Sequence, residues 1–199
     1  MRIKVEGISS LTDARYCAGM GVEKLGVDFH DPESPSLDLV SYQAVKAWIE
    51  GVVWTGYYPG TEVDIFQNLI KVYGINEWSV SKSFFDSLDN QTRKDVKLYV
   101  RLNKLSEIAE LTQNEIYGFE ISTENISLTD SFSILKDCIR LGKVIYLRDV
   151  KSASKITEML NQIPDIGFVF NSTKEERPGW MDLSELQDLL ESLENSGQI

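Results

Sequence analysis

Strand-like and helix-like patterns alternate along the whole chain, and this alternation constrains the fold more than any other feature. "RIKVE" reads as a short buried strand, with Ile3 and Val5 alternating before a break at Gly7. "LTDARYCAGMG" follows as a helix, with Ser10 and Asp13 placed like a capping box and Gly19 or Gly21 near its end. The pair then repeats. Strands are expected at "EKLGVDF", "VVWTGYY", "INEWSV", "VKLYVRL", "IYGFEIS", "KVIYLR" and "IGFVF". The helices between them are "LVSYQAVKAWIEG" ending on Gly51, "EVDIFQNLIKVYG" ending on Gly74, "SFFDSLDNQTR", "KLSEIAELTQ", "LTDSFSILKDCIRLG" and "ASKITEMLNQ". The last helix, "LSELQDLLESL", takes Asp182 as N-cap with Glu185 three residues on. Only the tail "ENSGQI" reads as frayed.

Eight βα units share 199 residues. Alternation of this kind implies parallel strands covered by helices, and eight units imply a closed (β/α)₈ barrel of the α/β class, one domain over residues 1–199. An open doubly wound sheet is the runner-up. Its dinucleotide form needs a glycine-rich first turn, and "EGISSL" has no G-x-G-x-x-G. In such a barrel catalytic groups sit at the C-terminal ends of strands, where this chain has Glu6, Asp28, Glu120 and Arg148.

Composition narrows the function classes. The net charge of −11, with no basic stripe, argues against nucleic acid and anionic membranes as partners. No apolar run approaches the roughly 20 residues of a membrane span. "MRIKVEG" lacks a signal-peptide core, so a cytoplasmic location is the expectation. Cys17 and Cys138 are too few and too far apart for a zinc site, and read as small buried hydrophobes. His30 is the only histidine, on a loop, and reads as a surface residue with a minor role.

The stretch "KVEGISSLTDARYCAGMGVEKLGVDFHDPESP" resembles the opening of the phosphoribosylanthranilate isomerases. Lys4, Gly7, Ile8, Asp13, Ala14, Gly21, Leu25, Gly26, Phe29, Pro32, Ser34 and Pro35 fit that family's pattern. Near the other end, "NSTKEERPGWMD" resembles its S-S-G-V-E-x-x-P-G-x-K-D, with Ser172, Glu175, Pro178, Gly179 and Asp182 matching. The resemblance implies a (β/α)₈ barrel. It also implies an Amadori rearrangement of a ribosylamine 5-phosphate in tryptophan biosynthesis, with a Cys base after strand 1, an Asp acid after strand 6 and a phosphate site after strands 7 and 8. This chain departs from that set. Glu6 replaces the Cys, and Glu120 lies nearest the Asp. Ser36 replaces the Arg of S-P-R, and "WSVS" replaces Q-L-H-G. The Gly-Gly after strand 7 aligns with residues 148–151, "RDVK", and the strand-8 loop Gly becomes Thr173.

Glu6 therefore carries three readings: a base paired with Glu120 as acid; a metal ligand with Glu120 and Asp28, the weakest of the three; or a carboxylate paired with Lys4, Arg148 or Arg101 and doing no chemistry. Phosphate would fall to Arg148, Ser172 and Lys174, with help from Lys151, although losing the glycines hinders close backbone approach. No metal and no cofactor is expected. The partner expected is a small molecule, possibly a sugar phosphate, on a monomer or homodimer. Trp48, Trp54, Trp78 and Trp180 read as core or rim, and Trp54 or Trp78 would narrow the mouth. Three functions stay open. A true isomerase predicts an anion site at loops 7 and 8. An enzyme with a changed substrate predicts a deep open mouth. A non-catalytic paralogue predicts a mouth filled by side chains, with Glu6 paired to a cation.

Overall fold

Eight parallel strands close on themselves in sequence order, β1 pairing with both β2 and β8. The computed structural model describes residues 1–111, 115–124, 128–150, 152–172 and 184–195. The first half runs β1 (Arg2–Glu6), α1 (Leu11–Gly19), β2 (Lys24–Asp28), α2 (Leu39–Trp48), β3 (Val53–Tyr58), α3 (Val63–Tyr73) and β4 (Glu77–Ser81). Next come α4 (Lys82–Ser87), α5 (Asn90–Asp95), β5 (Lys97–Leu102), α6 (Ser106–Leu111) and β6 (Gly118–Ser122). The last part is α7 (Leu128–Arg140), β7 (Val144–Arg148), α8 (Ala153–Gln162), β8 (Gly167–Asn171) and α9 (Ser184–Asn195). This is the (β/α)₈ barrel expected from the alternation. No described helix is long and apolar enough to cross a membrane.

Two boundary differences from the sequence reading have a clear local cause. "SFFDSLDNQTR" is two helices, because Asp89 accepts from Thr92 N and caps a fresh start while Leu88 is extended and buried. The helix before Gly51 stops at Trp48, where Ile49 turns extended. At α1, Ser10 does cap by accepting from Asp13 N. Asp13 also accepts from Ser9 N and Ser9 Oγ. The Asp182 and Glu185 capping expectation lies outside the described residues and side chains.

The strands alternate with period two. Ile3, Val5, Leu25, Val27, Phe119 and Ile121 point outward and are sealed by the helices. Their neighbours Lys4, Glu6, Lys24, Glu77, Tyr99 and Glu120 point into the lumen, where they bond across it from non-adjacent strands. Barrel interiors of this type are usually filled by branched apolar side chains; this one is filled largely by charge.

Trp78 and Trp54 belong to the outer layer, not to the mouth. Trp78 Nε1 donates to Ile75 O at 2.8 Å, and its ring packs on Phe29 and Phe66. Trp54 meets Tyr42 of α2 edge to face. Period two puts both on the outward face of their strands. Trp48 is neither core nor mouth rim: it is exposed on α2. Cys17 and Cys138 are free and buried, as expected.

Candidate active site at the barrel mouth

Glu6 ends β1 and Glu120 sits in the middle of β6, so alternation aims both into the lumen. Gly26 on β2 makes room for the first of them: a Cβ there would lie 3.2 Å from both Cα and Cγ of Glu6. Glu6 is 4% exposed and Glu120 is 0% exposed. Two charges buried this deeply need partners, and the partners are Lys4 and Arg101.

Lys4 Nζ lies 2.7 Å from Glu6 Oε1 and 2.6 Å from Glu120 Oε1. Arg101 closes the square, its Nη2 on Glu6 Oε2 and its Nε on Glu120 Oε2 at 2.9 Å. Ser79 on β4 donates to Glu120 Oε1 at 2.5 Å and accepts from Lys4 at 2.7 Å. Two cations thus face two carboxylates, and the formal charge of the group is zero. Tyr57 lies against the Arg101 guanidinium, 3.2 Å from ring centroid to guanidinium carbon. His30 packs edge-on against Tyr57.

The electrostatics follow from the geometry. Burial alone would raise the Glu6 pKa; the charges of Arg101 and Lys4, and their hydrogen bonds, outweigh it and hold the carboxyl at about 2. Arg101 is desolvated too, but Glu6 and Glu120 keep its pKa above the ordinary guanidinium value. A base held near 2 has little affinity for a substrate proton at neutral pH.

The other expected residues are dispersed. Asp28 accepts from His30 N at 2.9 Å and lies 2.6 Å from its Nδ1, so it does not join the two glutamates. No group of three or more metal-ligating side chains occurs among the described residues. His30 is on the surface, its side chain 68% exposed. Ser36, standing for the family's Arg, bridges Ile8 O and Asp28 N and ties the first two loops together. Of the three cations considered for Glu6, Lys4 and Arg101 pair with it; Arg148 does not.

On the phosphate side, Arg148 ends β7 with its Nε buried and without a hydrogen-bond partner. Asp149 follows at φ 67°, the left-handed conformation that favours glycine, and accepts from Ser122 Oγ at 2.6 Å. The backbone bend suited to the family's Gly-Gly is present, but it carries a carboxylate. Ser172 N donates to Glu6 O at 2.7 Å, while its hydroxyl is buried without a partner. Lys174, Lys151 and Thr173 lie outside the described residues. A cavity of about 580 Å³ opens beside β8 between α8 and α9. Its described lining includes Asp149 and Asp188 and no basic side chain.

Sequence reasoning reached both glutamates and offered Lys4 and Arg101 among possible partners, but missed Ser79 and Tyr57. The signal available was the spacing i, i+2 of polar residues in "KVE", "EWSVS", "KLYVR" and "GFEIS".

No family model matches the sequence, and no curated protein matches it. Solved structures do. The phosphoribosylanthranilate isomerase of Thermus thermophilus superposes with a TM-score of 0.70 at 14% identity, over 98% of this chain and 100% of that one. A monomeric form generated from the dimeric Thermotoga maritima enzyme gives 0.73 at 13%, over 98% and 99%. An isomerase in complex with reduced 1-(o-carboxyphenylamino)-1-deoxyribulose 5-phosphate gives 0.70 at 13%, over 98% and 99%. The chain has the fold of these enzymes along its whole length.

Proposed function

We propose that this chain is a divergent, non-catalytic relative of the phosphoribosylanthranilate isomerases. The positions of the acid and base have been taken over by a structural ion-pair group. The observation that carries this reading is that Glu6 and Glu120 are each held by both Lys4 and Arg101. A general base must have a free lone pair within reach of the substrate proton. Here both carboxylates are ion-paired with Lys4 and Arg101, and Tyr57 lies against the Arg101 guanidinium. The anion side supports the same reading. A sugar phosphate in such barrels is held by glycine-rich backbone amides, and Asp149 sets a negative charge at that bend.

Complementation tests it. The chain is expressed in a cell lacking the isomerase and plated without tryptophan. No growth is expected from a soluble, folded protein. Growth, abolished by Glu6→Gln while folding persists, would restore Glu6 as base and Glu120 as acid and overturn the proposal.

One observation favours a second reading, a barrel that binds a different small anion: Arg148 Nε at the end of β7 and the Ser172 hydroxyl just past neighbouring β8 are both buried without a hydrogen-bond partner. A thermal-shift titration with ribose 5-phosphate and with inorganic phosphate reads it. Stabilisation that vanishes in Arg148→Met would favour that reading, and no shift would remove it.

A further inference from the structure

We draw no further inference here: the strongest candidate, the cavity of about 580 Å³ beside β8 between α8 and α9, is lined by Asp149 of the turn after β7 and by Asn171 at the end of β8, and so belongs to the anion side of the barrel mouth already described.

Discussion

The barrel lumen holds two ionic groups, one above the other, and they are built differently. The upper one, Lys4, Glu6, Glu120 and Arg101, is balanced two against two and nearly sealed. The lower one gathers two lysines on a single carboxylate: Lys24 lies 2.6 Å from Glu77 Oε2, and Lys97 lies 3.1 Å from Glu77 Oε1. Tyr99 completes the lower group, its hydroxyl accepting from Lys24 at 2.7 Å and donating to Glu77 at 3.2 Å. The Tyr99 and Tyr146 rings flank Lys24, and burial pushes both phenols up, the Glu77 charge adding to each. Lys97 stands half in water. The upper group therefore has no reserve: every member depends on its two opposites. The lower one has a spare cation and a route to solvent.

That contrast sets the expected effects, largest first. Lys4→Met strips one of two cations from two buried carboxylates. It should cost about 3–5 kcal/mol of unfolding free energy, read as a lower urea midpoint. An equal or smaller loss than in Lys24→Met would break the comparison.

Acid should act mainly through the upper group. Glu6 is held at about 2 against an ordinary 4.5. Its folded pKa is the lower one, so its stabilisation is present above the unfolded value and disappears as pH falls from about 4.5 through 2. The loss is on the order of 3 kcal/mol, and Glu6→Gln should flatten that part of the stability–pH curve. The Glu77 pKa is lowered as well, against burial, by Lys24 and then Lys97. The Glu6→Gln curve thus keeps a smaller slope in the same direction, and one with no slope at all would mean the lower group is silent.

Lys24→Met leaves Glu77 with Lys97 and the Tyr99 hydroxyl, so urea unfolding should show about 1–3 kcal/mol lost. Lys97→Ala removes an ion pair with a half-exposed member, and about 0–1 kcal/mol is expected by the same assay. High salt should erase the Lys97 effect and leave the Lys4 effect standing.

Much of this was legible before folding. The eight repeats, the cap at Ser10, the αL stop at Gly74 and the placement of Glu6 and Glu120 follow from local pattern. What local pattern does not show is where the polar face of a strand points. "EWSVS" and "KLYVR" look like strands with a wet face, but in a closed barrel that polar face turns into the lumen. Trp48 misled in the opposite direction: a large aromatic suggested core, and its helix turned it outward.

The sequence by itself determined the order and number of the strands and the period-two split that put charges on one side of each strand, because these depend on neighbours a few residues apart. Only the tertiary structure decided which charges would meet. Lys4 and Glu120 are 116 positions apart, and Lys4 and Ser79 are 75. Their contact depends on closure and on the stagger of strands around the barrel. Closure also buried them. A carboxylate buried this deeply needs the cation opposite it, and so the expected acid and base of the mouth became two corners of an ion-pair square.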